Sequence, residues 1–153
     1  MLIRPYSPND LEPLLALIKA AFKEHEGVVD PPPSAASKTL AVLQEELSDF
    51  GALVVEDEGR LVGCVFYKPK DDSLYLGRLS VLPDYRGRGI ASSLLKRLES
   101  EAHQRDLAAL SLNVRLALKN QQNIYRHWGF EVSGYGTHEG YSNPTFLRMR
   151  KAL

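Results

Sequence analysis

Apolar residues in the first part of the chain recur three or four positions apart, the spacing of one helix face. These residues are Leu11, Leu14, Leu15, Ile18 and Phe22. The segment Ser7–Asp10 predicts the helix start, because it offers a serine cap, a proline at the first helical position and an acid in the first turn. A strand over Leu2–Tyr6 precedes this helix, and a second helix is predicted from a cap at Ser34 to about Ser48.

The period of the pattern changes at Gly51. Apolar runs from there predict three strands, over Ala52–Val55, Leu61–Tyr67 and Leu74–Leu82. The links between them are only a few residues long, and the first carries Gly59. Such short links predict an antiparallel meander.

Helices and strands alternate in the rest of the chain. The predicted elements are a long helix after Gly89, a strand over Leu110–Val114, a helix over about Asn120–Trp128, and strands over Phe130–Tyr135 and Thr145–Lys151. The order is β-α-α-β-β-β-α-β-α-β-β in a single domain of residues 1–153. The strands that flank the long helix form a βαβ unit and should be parallel. We therefore predict a single-domain α/β (α+β) fold with a mixed sheet of about seven strands.

Composition narrows the class of protein. The 19 basic and 19 acidic side chains balance, which argues against broad binding to nucleic acid or an anionic membrane. The single cysteine, Cys64, excludes an internal disulfide, fits a reducing compartment, and lies in an alternating strand as a core residue would. Because the sequence shows neither a signal peptide nor an apolar stretch of about 18 residues, we expect a cytoplasmic protein. No Cys/His cluster has metal-ligand spacing, so no metal is expected.

The segment Pro83–Leu98, PDYRGRGIASSLLKRL, places two glycines in the turn that opens the long helix. Glycine lowers helix stability, so Gly87 and Gly89 indicate that the backbone of this turn lies close to a ligand. The neighbouring Arg86 and Arg88 indicate that it is an anion. Free N–H groups at a helix start, preceded by glycines, form a nest for phosphate oxygens.

Two other phosphate-binding motifs fit this turn less well. A P-loop needs a lysine directly after its last glycine, and Gly89 has none. A dinucleotide fingerprint needs an acid at the end of the next strand, whereas that strand ends in Asn113–Arg115. The plain alternative, a strand-to-helix turn without a ligand, stays open at this point.

The hexapeptide Arg86–Ala91, RGRGIA, resembles the R/Q-x-x-G-x-G/A signature of the GNAT superfamily of acetyl-CoA-dependent N-acetyltransferases. The segment Asn123–Phe130, NIYRHWGF, resembles the Y-x-x-x-G-F segment of the same family, and the order of elements agrees over nearly the whole chain. The resemblance implies acetyl-CoA as co-substrate and a GNAT-like sheet whose two central parallel strands splay apart to admit the pantetheine arm.

The resemblance also implies which residues hold acetyl-CoA. The pyrophosphate would lie on backbone N–H groups of the glycine turn, supported by Arg86, and the arm would pair with the backbone of Leu79–Val81. Asn120 would cap its helix and touch the arm. The implied cofactor-binding residues are Leu79, Ser80, Val81, Arg86, Gly87, Arg88, Gly89, Ile90, Ala91, Ser92, Asn120 and Tyr125.

Direct attack of an amine on the thioester needs a neutral amine, a donor to the oxyanion and a proton for the departing thiolate. A backbone N–H near Leu79 or Ser80 is the expected donor to the oxyanion. Tyr125 matches the family's tyrosine that protonates the thiolate, and a phenol with a pKa of ~10 carries its proton at neutral pH. The alternative is that Tyr125 only packs on its helix.

The base that deprotonates the amine is open. The candidates are Glu24, His25, Glu26, His138 and Glu139, or a chain of water molecules. As a hypothesis, the loop around Glu26 and the loop around His138 and Glu139 form the amine pocket.

The predicted function is acetyl transfer to a primary amine, and the acidic loops weakly favour a small cationic one. A non-catalytic acyl-CoA-binding module and a protein or peptide N-acetyltransferase are the alternatives. The last two strands could pair across a homodimer.

Overall fold

The predicted alternation of elements is present in the computed structural model, which describes residues 1–25, 27–31 and 38–153. The helices are α1 (Leu11–Phe22), α2 (Leu40–Asp49), α3 (Ile90–Gln104) and α4 (Lys119–His127), with short 3₁₀ turns at Pro8–Asp10, Lys23–His25 and Pro83–Tyr85. The strands are β1 (Leu2–Pro5), β2 (Gly51–Asp57), β3 (Arg60–Lys70), β4 (Ser73–Val81), β5 (Ala109–Arg115), β6 (Glu131–Gly136) and β7 (Phe146–Ala152). The predicted order β-α-α-β-β-β-α-β-α-β-β is confirmed.

The seven strands form one mixed sheet in the order β1-β2-β3-β4-β5-β7-β6. Every neighbouring pair is antiparallel except β4 and β5, which are parallel as the βαβ unit predicts. Leu61–Phe66 of β3 are buried at every position, although side chains alternate across a strand. Both faces of the central sheet are therefore covered, and α1 and α3 each pack against both β3 and β4.

The second helix begins later than predicted. Thr39 has an extended backbone, and its hydroxyl oxygen accepts a hydrogen bond from the backbone N–H of Val42, 3.2 Å away. The helix thus starts at Leu40, and the prediction of a helical stretch running on from Ser34 is wrong at residues 38 and 39. Ser34 itself lies outside the described residues. Threonine and serine cap helices for the same reason, so the sequence offered two competing start signals.

A bidentate ion pair ties β1 to the start of α1. Arg4 donates from Nη1 to Asp10 Oδ2 at 2.7 Å and from Nη2 to Oδ1 at 2.9 Å. The backbone N–H of Ser7 also donates to Asp10 Oδ2, at 2.8 Å. Asp10 is buried, and the hydrogen bonds from Arg4 outweigh its burial and lower the pKa of its carboxyl to about 2.

Replacement of Asp10 by asparagine is expected to lower the free energy of unfolding at neutral pH by about 2 kcal/mol. The pKa of Asp10 is lowered on folding, so its stabilisation is complete above the unfolded value and is lost as the pH falls towards the folded value of about 2. Urea unfolding between neutral and acid pH measures this effect. The difference in the free energy of unfolding between the wild type and Asp10→Asn should shrink as the pH falls. The exposed Asp71, which has no ion pair among the described residues, provides the control Asp71→Asn. A loss that does not change with pH would contradict the ionic origin.

The parallel strands β4 and β5 pair only along their first residues. The paired positions are Ser73 with Ala109, Leu74 with Leu110 and Tyr75 with Ser111. Beyond them β4 continues to Val81 and β5 to Arg115 without further pairing to one another. The sheet therefore opens between the carboxyl ends of two central strands.

Candidate functional site

A cavity of about 1040 Å³ occupies the opening between β4 and β5. Its walls come from the end of α1, from α2, from β4 and β5, from the turn that opens α3, from α4, and from the loop before β7. The backbone segment Leu79–Val81 of β4 lies along it. It is large enough for a drug-sized ligand and combines apolar walls with a few charged groups.

A bulge distorts β4 where it borders the cavity. Val65 of β3 faces both Arg78 and Leu79, because the register shifts between the pairs Cys64–Ser80 and Phe66–Gly77. Arg78 has a φ of 53°, a left-handed conformation that is uncommon outside glycine. A bulge leaves one residue out of the ladder and re-aims the side chains around it.

The cysteine beside this bulge lies in the core. Cys64 is fully buried, and its thiol donates to the carbonyl oxygen of Arg78 at 3.4 Å. Burial raises the pKa of the Cys64 thiol to about 12, so the sulfur stays neutral. The predicted core position of Cys64 is confirmed.

Gly87 and Gly89 make the turn that opens α3, and both have a φ of 79°. In this left-handed region a side chain would cost roughly 1–2 kcal/mol at each position. Apart from the chain neighbours of each glycine, no atom of the described residues lies within 4 Å of where a Cβ of either glycine would stand. The two glycines therefore place no side chain over the start of α3, where unpaired N–H groups and the helix dipole favour an anion.

Arg86 connects this turn to the end of α1. Its guanidinium donates from Nη1 to Glu24 Oε2 at 2.8 Å and from Nη2 to the carbonyl oxygen of Ala21 at 3.2 Å. Arg88 lies with its guanidinium carbon 4.6 Å from the centre of the Tyr85 ring, a cation–π distance. The two arginines of the turn thus have different neighbours.

Tyr125 projects from α4 into the wall of the cavity. Its ring packs edge-on against Trp128 and Phe130, with ring centres 5.9 and 5.8 Å away. Burial raises the pKa of the Tyr125 phenol to about 12, so the hydroxyl keeps its proton. None of the described residues forms a hydrogen bond with it.

The end of α4 is closed by a Schellman motif that positions this aromatic cluster. Gly129, with a φ of 98°, donates its N–H to the carbonyl oxygen of Arg126, and Phe130 donates to that of Tyr125, both at 3.0 Å. Gly129 therefore caps the C-terminal end of α4. The contact between Phe130 and Tyr125 is the apolar contact that accompanies such a cap.

Two segments meet beside the cavity, the loop before β7 and the segment 27–31. Tyr141 donates to Asp30 Oδ1 at 2.5 Å, and Arg115 donates to the carbonyl oxygen of Pro31 at 2.6 Å. The first bond joins the loop before β7 to the segment 27–31, and the second joins the end of β5 to the same segment. His138 of that loop lines the cavity, and its ring is bonded to the Thr145 hydroxyl. Burial and the nearby charge of Arg115 hold the pKa of His138 below its ordinary value.

A family model described as "Acetyltransferase (GNAT) family" matches residues 14–130. This range contains the glycine turn, both diverging strands and Tyr125. The chain belongs to the GNAT family. The resemblance found in the sequence is thus confirmed, and the GNAT family uses acetyl-CoA.

Proteins that are similar to this chain in sequence or structure are acetyltransferases as well. An amino-acid acetyltransferase from Pseudomonas putida (strain GB-1) is 34% identical over 86% of this chain, which spans only 28% of that protein's length. A crystal structure of a ribosomal-protein-alanine N-acetyltransferase from Brucella melitensis covers 100% of both chains at 27% identity, with a TM-score of 0.71. The PaiA N-acetyltransferase from Thermoplasma acidophilum, solved in complex with coenzyme A, has a TM-score of 0.83 at 21% identity and covers 99% of this chain and 98% of its own.

The GNAT cavity brings together most of the cofactor-binding residues predicted from the sequence. Those that line it are Leu79, Ser80, Val81, Arg86, Gly87, Ile90, Ala91 and Tyr125. Arg88, Gly89 and Asn120 do not line it, and Ser92 lines a separate cavity of about 200 Å³. Of the predicted catalytic candidates, His138 lines the cavity, Glu139 is exposed away from it, and Glu26 lies outside the described residues.

The predicted cap by Asn120 is wrong. The helix begins at Lys119 with Leu118 at the cap position, so Asn120 is an exposed residue inside α4. The buried Gln122 secures this corner instead, because its Nε2 donates to the carbonyl oxygens of Arg115 and Leu116, both at 2.9 Å. Sequence reasoning missed the role of Gln122 because it looked for a capping residue at the start of the helix. The Gln122 side chain instead reaches back from inside the helix to the end of β5.

Among the charged residues that line the cavity, sequence reasoning missed Arg115 and also the pair Glu46 and Arg78. The two residues of this pair are 32 positions apart and form an ion pair of 2.9 Å. Within the described ranges, no group of His, Cys, Asp and Glu residues could hold a metal ion, and no helix is long and apolar enough to cross a membrane. The cytoplasmic location and the homodimer stay predictions.

Proposed function

We propose that this GNAT chain transfers an acetyl group from acetyl-CoA to a primary amine of a small molecule by direct attack. The observation that carries the proposal is one continuous cavity with an anion-binding turn at one end and a protonated tyrosine in its wall.

Acetyl-CoA would bind mainly through backbone groups. Its pyrophosphate would accept hydrogen bonds from N–H groups of the turn at Gly87 and the start of α3, where the helix dipole favours an anion. The pantetheine arm would lie between β4 and β5 and pair with the backbone of Leu79–Val81, which β5 leaves unpaired. Arg86, already bonded to Glu24, would fix the turn from outside.

The chemistry would take place where the two strands begin to diverge. The neutral amine attacks the thioester carbonyl, and the carbon–sulfur bond breaks as the oxyanion collapses. The bulge at Arg78 and Leu79 leaves backbone groups of β4 outside the ladder, and one N–H there would stabilise the oxyanion. The Tyr125 hydroxyl would supply a proton to the thiolate.

The acceptor would enter where the loop before β7 meets the segment 27–31. His138 lines this side and its lowered pKa leaves it neutral at physiological pH, as a base requires. Its ring is already bonded to Thr145, so water within the cavity is the competing base. The amino-acid acetyltransferase among the relatives supports a small acceptor, and the ribosomal-protein-alanine enzyme supports the alternative of a protein N-terminus.

A thermal melt with and without acetyl-CoA tests the cofactor assignment. A ligand at about 100 times its Kd should add roughly 2.7 kcal/mol to the free energy of unfolding and raise the midpoint visibly. NAD is the control, because it carries a pyrophosphate but no pantetheine arm. A midpoint that acetyl-CoA does not move, or that NAD moves equally, would contradict the assignment. Release of free CoA thiol when amines are added then tests for catalysis.

A further inference from the structure

Arg78 has an unusual backbone for a residue inside a strand. Its φ is 53°, and it alone, of the four described non-glycine residues with positive φ, lies within a strand. A left-handed conformation is costly for a residue with a side chain, and it persists only where surrounding contacts hold it. The contacts around Arg78 do so from two directions.

Two buried side chains hold the carbonyl oxygen of Arg78. The Ser80 hydroxyl donates to it at 2.9 Å, and the Cys64 thiol of β3 donates to it at 3.4 Å. Ser80 is 3% exposed and Cys64 is fully buried, so both donors lie in the protein interior. The hydroxyl is the stronger of the two, because a thiol is a weak donor. Together they fix the direction of this carbonyl on the β3 side of the strand.

The side chain of Arg78 is held by α2. Its guanidinium donates from Nη2 to Glu46 Oε1 at 2.9 Å. The same oxygen accepts from Lys38 at 2.6 Å, and the Lys38 side chain is 1% exposed. Arg78 is therefore tied to a helix through its side chain and to the core through its carbonyl, which accounts for the persistence of its strained conformation.

The next backbone N–H, that of Leu79, faces the opening of the sheet. In a trans peptide the C=O and the following N–H point in opposite directions, and the peptide between Arg78 and Leu79 is trans. Alternation along the strand agrees with this direction. Leu82 donates its N–H to the Val62 carbonyl of β3 at 2.9 Å, and residues three positions apart face opposite edges of a strand. The opposite edge is the one where β5 has stopped pairing with β4.

We propose that Ser80 and Arg78 are positioning residues for the acetyl thioester. The Ser80 hydroxyl and the left-handed backbone of Arg78 hold one peptide plane in place, and this plane aims the Leu79 N–H at the thioester oxygen. The inference rests on the proposed function, which calls for a donor to the oxyanion at the bulge, and adds the groups that keep this donor in position. A donor held in advance stabilises the developing charge without reorienting during the reaction.

Infrared spectroscopy of bound acetyl-CoA, labelled with carbon-13 at the thioester carbonyl, tests the inference without an acceptor. A hydrogen bond to a carbonyl oxygen lowers its stretching frequency. We expect the carbonyl band of the wild-type complex to lie below that of free acetyl-CoA, and Ser80→Ala to lose most of this shift. The Kd of acetyl-CoA, measured by calorimetry, should rise by about threefold at most, because one hydrogen bond is weakened while the other backbone contacts stay.

Ser73→Ala is the matched control. Ser73 lies on the same strand, is 4% exposed, and its hydroxyl also donates to a backbone carbonyl, that of Lys70 at 3.1 Å. It does not line the cavity. The carbonyl band should therefore stay in its wild-type position although a buried hydroxyl has been removed. A thermal melt of each variant monitors folding.

A second pair of variants separates the backbone of Arg78 from its side chain and decides the matter should Ser80→Ala not fold. Arg78→Gly and Arg78→Val both remove the guanidinium and its bond to Glu46. Glycine adopts a positive φ freely, whereas valine, branched at Cβ, resists it. Arg78→Gly should keep most of the carbonyl shift, and Arg78→Val should lose it. Equal shifts in the two would overturn the role of the left-handed backbone.

The remaining outcomes are distinguishable. A carbonyl shift in the wild type that is lost in Ser80→Ala and Arg78→Val but kept in Ser73→Ala supports the inference. A wild-type band at the free frequency, or a shift that all variants keep or all lose, overturns it and leaves the proposed acetyl transfer intact. A shift that depends on Ser80, in a protein that releases no CoA thiol with any amine, supports the positioning role and overturns the proposed transfer. Absence of acetyl-CoA binding overturns both.

Discussion

Replacement of Tyr125 by phenylalanine is expected to lower kcat about 100-fold, at the lower end of the range for general acid catalysis, and to leave the Kd of acetyl-CoA unchanged. Only the hydroxyl is removed, so the edge-on contacts of the ring with Trp128 and Phe130 persist. The departing thiolate then has to take its proton from water. Tyr135→Phe, on the exposed face of β6 and outside the cavity, is the matched control.

The pH dependence of the wild-type enzyme follows from the same residue. As a proton donor Tyr125 would act in its protonated form, and burial raises its pKa to about 12. The acceptor acts as the neutral amine, with a pKa of ~8–10. Activity as kcat/KM should therefore rise with pH until the amine is deprotonated and show no fall caused by Tyr125 up to about pH 10.

Steady-state kinetics of the wild type and Tyr125→Phe up to about pH 10 test both expectations. Acetyl-CoA binding is measured separately. A kcat of Tyr125→Phe within threefold of the wild type would exclude the tyrosine as proton donor and leave it as a packing residue. Binding of acetyl-CoA by a wild-type protein that acetylates no amine would favour the non-catalytic acyl-CoA-binding alternative.

Truncation of Phe130 to alanine is expected to cost about 3–5 kcal/mol of the free energy of unfolding. Phe130 is among the largest fully enclosed side chains, 2% exposed, and it joins the cap of α4 to the core behind Tyr125. A loss of that size should lower the melting midpoint by about 10 °C in a chain of this length. Because the ring also backs Tyr125, turnover at a temperature where the variant is folded should fall as well.

Urea and thermal unfolding of Phe130→Ala measure this loss, and Val132→Ala serves as the control. Val132 lies two positions further along the chain, on β6, and is 38% exposed, so its truncation should change the free energy of unfolding by less than about 0.5 kcal/mol. Equal losses for the two variants would mean that Phe130 does not anchor the helix cap.

The features that sequence reasoning found are local ones. Helical spacing in α1, the apolar runs of β2–β4 and the glycines of the α3 turn each lie within a few consecutive residues, where backbone preferences decide the structure. The segment from Tyr125 to Phe130 is also contiguous, because a helix cap and its apolar contact span only six positions. These local signals were enough for the order of elements and for the family.

The features that it missed depend on chain topology. Glu46 and Arg78 meet across 32 positions, and Arg115 meets Pro31 across 84, with no pattern in either neighbourhood that marks the partner. The bulge at Arg78 could not be predicted from the sequence either, because the residue with positive φ is not a glycine. Side-chain partners on separate elements become visible only when the sheet order is known.

A ligand in the opening between β4 and β5 would meet main-chain groups along most of the length of the opening. N–H and C=O groups are the same whichever residue carries them, so replacing side chains along these strands leaves a backbone-lined slot chemically intact. Under the proposed function the acceptor end is different, because His138 would act there through its side chain, which a single mutation can exchange. Under the proposed function, such a fold can drift far in sequence and change its acceptor while it keeps its cofactor.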